Sequence, residues 1–403
     1  MTESTATAQP GFNLWSREFI DDPHAFYRRM HAEAPAYWDG GGWVFARFAD
    51  VQAALRDARF GSERIHPDPE WLEQSGMGPL FNAHQHMMLF TDPPDHTRLR
   101  GLVNKAFTPR AVERMRDTIQ QLVDEMIDAA PAGRLDLIHD LAHPLPVTVI
   151  ASMLGVPQEQ REQFKRWSEP IAAFIGGSTA PEEQMLRAAL QSVVEMGDYF
   201  REMASQRRRN PQDDLLTAMA LAEEQGDRLS TDELVANCIL LLVAGHETTT
   251  NLIGNGMLAL LQNPEQLALL RERPDLIGNA VEELLRYDSP VQGTSRLAKA
   301  DVTLGDCEIK AGQHVQLMIG GANRDPLQYA DPDRLDITRA DVRHLSFAHG
   351  AHFCVGAPLA RLEGQIAIGT LLRRLPNLAL TGEPLEWRDN FTLRGLKALP
   401  LAF

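Results

Sequence analysis

Between Thr108 and Met126 apolar residues return every three or four positions, at Val112, Met115, Ile119, Leu122 and Met126. That interval brings side chains back to one face of a helix. Thr108 followed by Pro109 supplies the start: a hydroxyl to cap free N–H groups, then a residue whose fixed φ suits the first turn. Asn263-Pro264 repeats the signal. The apolar stretch Cys238 to Gly245 lies inside a longer helical segment reaching about Leu261, and Ala357 to Leu371 reads as another helix. Strand patterns are confined to two regions. Tyr37 to Phe48 has apolar residues on both sides of Asp39-Gly40-Gly41-Gly42, a hairpin signal in which glycine supplies positive φ. Val302, Leu304, Ile309, Val315 and Leu317, within the stretch running to Ile319, are separated by turns at Gly305-Asp306 and Ala311-Gly312. Most of the rest reads helical, so the pattern predicts a mainly α fold with a small β lobe.

Glycine and proline interruptions are scattered, and neither a repeat nor a low-complexity tract marks a linker. The expectation is a single domain over residues 13–403, preceded by a disordered tail over 1–12. The Thr- and Ala-rich start lacks the basic end and apolar core of a secretory signal, which suggests a cytoplasmic protein. No apolar run approaches the ~20 residues of a membrane span. The net charge of -16 argues against nucleic-acid binding, which needs a dominant basic surface. Apolar residues at 44% and charged ones at 23% are the ordinary globular balance.

Cys238, Cys307 and Cys354 are widely separated and odd in number, which does not suggest a disulfide framework. Cys354 stands out because it lies in Phe347-Ala348-His349-Gly350-Ala351-His352-Phe353-Cys354-Val355-Gly356, just before a helix. Free N–H groups and the positive end of a helix stabilise a thiolate, and Gly350 and Gly356 let backbone approach a flat ligand. Such a thiolate suits axial ligation of haem iron. A buried structural cysteine is the plainer alternative. A zinc site of His349, His352 and Cys354 lacks a partner cluster with normal ligand spacing, and no Cys-x-x-Cys pair exists.

A second constellation runs from Leu240 to Thr250 and sets Glu247 beside Thr248 in an apolar helix. His246-Glu247 begins like a zinc-peptidase motif, but Thr250 stands where the second histidine is needed, so that metal reading fails. Gly245 costs a helix interior about 1 kcal/mol, and the threonines compete for backbone carbonyls, so a local distortion with room for a small ligand is expected. The alternative is a core helix whose threonines bond to the preceding turn. Glu283 and Arg286 share one helical face, as do His96 and Arg100, and Pro332-Asp333-Arg334 reads as a loop.

In this order, the segments from about Asn13 to the C-terminus resemble the bacterial soluble cytochrome P-450 enzymes. Phe347, Gly350, His352, Cys354 and Gly356 match the family's haem loop, while Ala348 stands where glycine or serine is more usual. The resemblance implies the cytochrome P-450 fold and haem b with Cys354 as the proximal iron ligand. Ala244, Gly245, Glu247 and Thr248 match the oxygen-activation motif, Glu247 and Thr248 being its acid and alcohol. Glu283, Arg286 and Arg334 resemble a buried ion network near the haem's proximal side. His96, Arg100, Arg296 and His352 look like the groups that hold the haem propionates, a task suited to arginine's planar fork. Implied substrate-lining residues are Phe81, Met88, Leu89, Leu240, Leu241, Ala244, Val291, Gln292, Thr294 and Leu393, which point to a mainly hydrophobic substrate. Leu240 or Leu241, Ala244 and Thr248 follow one another by helical turns.

The implied reaction inserts one atom of dioxygen into an organic substrate and reduces the other to water. Only about fifty residues follow the haem loop, so electrons from NAD(P)H are expected through a separate ferredoxin and ferredoxin reductase. Arg98, Arg100, Lys105, Arg110, Arg114 and Arg116, against Glu113 alone, form a basic stretch able to steer an acidic partner. A solvated helix face with propionate contacts explains the same residues. Two other functions compete. One is a peroxide-driven peroxygenase, against which the intact Glu247-Thr248 pair argues. The other is a haem-based binding or sensor protein without turnover, since fold alone does not establish activity.

Overall fold

The computed structural model describes residues 11–403 except 64, 178–181 and 223–227. Residues 1–10 of the expected tail lie outside the described residues. Phe12 is already packed, its ring 5.0 Å from that of Phe26 and 5.3 Å from that of Tyr37, so buried structure begins ahead of the expected boundary at Asn13.

Strands β1 (Ala36–Trp38) and β2 (Gly42–Phe45) form the expected hairpin, in which Gly40 has φ +103° and Asp39 accepts the N–H groups of Gly41 and Gly42. Helix α1 (Phe48–Arg56) and β3 (Phe60–Gly61) follow. Next come α2 (Asp95–Ala106), α3 (Pro144–Met153), α4 (Arg161–Gly176), α5 (Glu182–Arg209), α6 (Thr231–Gln262) and α7 (Ile277–Tyr287). Strands β4 (Thr294–Ala298) and β5 (His314–Leu317) and helix α8 (Ala357–Arg374) complete the frame of the site. The main sheet runs β1-β2-β5-β4-β3, antiparallel except for β2 against β5, where Val44 pairs with Gln316.

Two local readings need correction. The strand expected to run to Ile319 stops at Leu317, because Ile319 opens a short helix, Ile319–Ala322. The helix expected from Thr108 to Met126 is two, Pro109–Glu113 and Arg116–Ala129. Thr108 does cap the first, accepting from the Ala111 N–H at 3.2 Å. The break re-phases the second helix, so Ile119, Val123 and Ile127 are its buried residues, while Leu122 and Met126 are only half-buried.

Helix α6 is the axis of the molecule. Ser230 accepts from the Glu233 N–H while Glu233 accepts from the Ser230 N–H, a reciprocal cap that fixes its start. It is apolar on nearly every side, as a helix surrounded by protein must be. Its middle differs: Ala244, Gly245 and Thr248 are the uncovered positions in an otherwise buried stretch. Among the described residues no helix is long and apolar enough to cross a membrane.

Candidate active site

The uncovered part of α6 borders a cavity of about 550 Å³, and the loop before α8 borders the same cavity. Ala244, Gly245 and Thr248 therefore share a wall system with Phe347, Cys354 and Gly356, about a hundred positions later in the chain.

The cysteine loop is held from both ends. The Cys354 N–H donates to the Phe347 carbonyl at 2.9 Å, and the Phe347 ring lies under the Arg361 guanidinium, 4.5 Å from its centroid. Cys354 is exposed only in the sense that it faces the cavity. Burial pushes its thiol above the ordinary range, while N–H groups of Gly356 and Ala357 and the charges of Arg100 and Arg361 pull it down. The helix-start effect is thus present but outweighed by burial, and a bound iron cation would hold the sulfur as thiolate. Gly350 corrects the sequence reading: at φ +71° its missing side chain faces the Leu55 carbonyl of α1, which a Cβ would meet at 2.5 Å, rather than a ligand. Gly356 does line the cavity, and a Cβ there would touch the Cys354 sulfur at 3.8 Å.

His96, Arg100, Arg296 and His352 converge on one side of the cavity. The His96 and His352 rings are 4.0 Å apart. Arg296 donates to Thr294 Oγ1 at 2.9 Å and the Ser295 carbonyl at 2.8 Å, and Arg100 to the Phe353 carbonyl at 2.6 Å. Among the described residues neither arginine has a carboxylate in salt-bridge range, and the buried Nε2 of His96 has no partner. Burial pulls Arg296 down to about 10, and burial with the surrounding cations pulls His352 down to about 3. Two arginines and two histidines crowd together with Asp92 as the nearby anion, itself paired with Lys299, and so fit a ligand that brings carboxylates, as the two propionates of haem do.

Glu247 is buried, and Arg388 Nη1 donates to its Oε2 at 2.8 Å. Burial raises its pKa, but hydrogen bonding to His246 and the charge of Arg388 prevail and hold it at about 2. Thr248 Oγ1 donates to the Ala244 carbonyl at 2.8 Å and Thr249 Oγ1 to that of Gly245 at 3.0 Å. These back-bonds follow an unbroken α-helix, so the expected distortion at Gly245 is absent. The opening comes from small side chains, not from a broken helix. Glu363 of α8, which sequence reasoning missed, also lines the cavity. Burial raises it to about 8, opposed by a hydrogen bond with Thr249.

Of the expected substrate residues, Met88, Leu89, Leu240, Leu241, Ala244, Val291, Thr294 and Leu393 line the cavity. Phe81 and Gln292 do not. Phe81 stands behind the wall, its ring perpendicular to that of the lining residue Phe174 at 5.8 Å. Gln292 is a buried fastener: Tyr27 Oη donates to its Oε1 at 2.6 Å, and its Nε2 donates to the Ser289 carbonyl at 2.6 Å. Trp15 and Phe391, with rings 4.6 Å apart, are lining residues from the two ends of the chain that no local motif announces.

The ion network also differs from expectation. Arg286 engages Glu283 through Nε–Oε2 at 2.7 Å and Nη2–Oε1 at 2.8 Å, both side chains fully buried. The third member is Arg339, Nε of which lies 3.3 Å from Glu283 Oε1. The Arg334 guanidinium is 64% exposed, and only its carbonyl joins the network, accepting from Arg286 and Arg339.

Comparison with known proteins agrees with this geometry. The family model for cytochrome P450 matches residues 66–389. The chain is 47% identical to cytochrome P450 107B1 of Saccharopolyspora erythraea, over 97% of this chain and 98% of that one. It is 42% identical to the biotin biosynthesis cytochrome P450 of Bacillus subtilis over the whole of both. The crystal structure of P450BioI with acyl carrier protein ligated to hexadec-9Z-enoic acid superposes with a TM-score of 0.90 at 41% identity, covering 96% of this chain and 99% of that one. The chain belongs to the cytochrome P450 family and is a haem-dependent monooxygenase.

Proposed function

We propose that the protein inserts one atom of dioxygen into a mainly hydrophobic organic substrate held in the cavity. Its electrons come from NAD(P)H through a separate ferredoxin and ferredoxin reductase in the cytoplasm. The observation that carries this reading is the shared wall: the Cys354 sulfur and the Ala244–Thr248 opening of α6 border one cavity. Cys354 would hold the iron of haem b, and His96, Arg100, Arg296 and His352 would hold its propionates. Haem, when bound, supplies dioxygen binding and O–O cleavage, which thiolate donation favours.

The chain's own groups set the rest. Thr248 uses its proton on the Ala244 carbonyl, which leaves the hydroxyl oxygen able to accept a proton and pass one on by rotating. Glu247 is ionised and tied to Arg388, which is itself 25% exposed, so a proton can reach the carboxylate from the surface side and be held there only in passing. Apolar walls such as Leu240, Leu241 and Val291 exclude water and admit an apolar substrate. The acyl chain in the related P450BioI complex is of that chemical kind.

Three variants test the reading. Cys354→Ser should abolish the strongly red-shifted band of the reduced carbon monoxide complex. Thr248→Ala should keep haem and substrate binding yet divert reducing equivalents to hydrogen peroxide. Glu247→Gln should chiefly slow oxygen activation, since an amide cannot ionise. Product formed and peroxide released per NAD(P)H separate these effects, and unchanged coupling and rate in both helix variants would reject the proton-delivery roles. Equal turnover with peroxide alone would favour the peroxygenase alternative.

A further inference from the structure

In sequence, His246-Glu247 lacks the second histidine that a helical metal motif needs. In space that histidine is present. His143, the residue before α3, brings its ring to 5.5 Å from that of His246. One nitrogen of each histidine and one oxygen of Glu247 all lie within 4.8 Å of one another, and all three side chains are buried.

The hydrogen bonds around these atoms leave one nitrogen without a partner. His246 Nδ1 is 2.8 Å from the Leu242 carbonyl, which can only accept, so Nδ1 carries a proton and Nε2 faces inward, sharing a proton with Glu247 or, once a cation displaces that proton, presenting a lone pair. Ser168 Oγ lies 3.2 Å from Nε2, but it has one proton and donates to the Lys165 carbonyl at 2.9 Å. Nε2 then faces Glu247 Oε1 at 3.4 Å, while Arg388 holds the other oxygen, Oε2. His143 Nε2 is buried without any partner. A proton shared by His246 and Glu247 satisfies two of the three atoms and leaves His143 unmatched. A metal cation satisfies all three.

We propose that His143, His246 and Glu247 form a second metal site, separate from the haem iron, that takes a zinc-class divalent cation. Two imidazoles and one carboxylate suit zinc better than magnesium or calcium, which prefer all-oxygen sets. Zinc bonds of about 2.1 Å put tetrahedral ligand atoms roughly 3.4 Å apart, the spacing His246 and Glu247 already have. His143 needs to approach by at most about 1.5 Å to match. Ser168 Oγ or a water completes the fourth position. The Leu242 carbonyl on His246 and Arg388 on Glu247 are outer-shell partners that orient the ligands. The charges of Arg388 and nearby Lys165 weaken the site. Because the ion takes Glu247 Oε1, its effect on turnover rests on the proton-delivery reading above, whereas its binding does not.

The test is equilibrium dialysis of the haem-loaded, chelator-treated protein against zinc chloride, with zinc and haem both quantified. One zinc per haem is expected beyond what His143→Ala retains, with His143→Ala and the volume-conserving His143→Gln each weakening binding by at least about tenfold. Both variants should keep wild-type haem content and ferric spectrum. Magnesium chloride at the same concentration should not compete. Zinc should also lower product formed per NAD(P)H in the wild type more than in His143→Gln. Equal zinc retention by wild type and both variants, or displacement by magnesium, overturns the site. Zinc bound through His143 without any effect on turnover upholds the site and counts against Glu247 as the proton carrier.

Discussion

Arg339 Nε stands 3.3 Å from Glu283 Oε1, at the carboxylate that Arg286 already grips in two hydrogen bonds. Arg334 reaches the same place only with its backbone carbonyl. A charged hydrogen bond of this kind contributes about 2 kcal/mol, whereas an exposed side chain away from such contacts changes stability by about 0.5 kcal/mol or less. Arg339→Ala should therefore lower the unfolding midpoint in denaturant clearly, and Arg334→Ala hardly at all. The reverse order would restore the sequence-based assignment of Arg334.

Glu363 makes stability depend on pH in a definite direction. Burial raises its carboxyl from 4.5 to about 8, so between those values the folded protein holds a proton that the unfolded chain has released. Stability contributed by that proton is present below pH 4.5 and is lost as pH rises toward 8. Glu363→Gln, which is neutral at every pH, should match the wild type near pH 5 and exceed it near pH 8.5 in denaturant melts of the haem-loaded protein. Parallel curves for the two proteins would show that Glu363 is ionised throughout.

Ala348 occupies a left-handed conformation, φ +56°, two residues before Gly350, which is also left-handed. A side chain is disfavoured there and glycine is not. Ala348→Gly should raise stability by about 1 kcal/mol and leave the haem spectrum unchanged. A loss of stability would mean that contacts of the Ala348 methyl in the β-lobe core outweigh the backbone term.

The basic stretch from Arg98 to Arg116 is smaller in space than in sequence. Arg98 pairs with Glu233, Arg100 turns to the cavity, and Arg116 is bound to Glu113 at 2.6 Å. Arg110 is exposed, and Arg114 is exposed with Asp213 no nearer than 4.0 Å. Reversing charge at Arg110 and Arg114 should weaken ferredoxin-driven turnover more than peroxide-driven turnover, and added salt should act in the same direction. Equal losses in both assays, with haem content reduced, would indicate a damaged fold instead of a lost docking surface.

What the sequence alone determined is what neighbouring residues decide among themselves. The glycine-flanked Cys354 ahead of a helix, the adjacency of Glu247 and Thr248, and the Thr108–Pro109 helix start are all written within a few positions, because backbone conformation and hydrogen bonding act over one or two turns. Family resemblance extended this to His96, Arg100, Arg296 and His352, which the fold does bring together. Tertiary structure decided every contact in which distant segments compete for one group. Arg339 rather than Arg334 reaches Glu283, and Gln292 is claimed by Tyr27 before it can line the cavity. Arg388 from near the C-terminus holds Glu247, and His143 brings a ring nitrogen within 4.8 Å of its carboxylate. Such pairings depend on where whole helices come to rest, and that is set by packing of the shared core around α6, which no local spacing encodes.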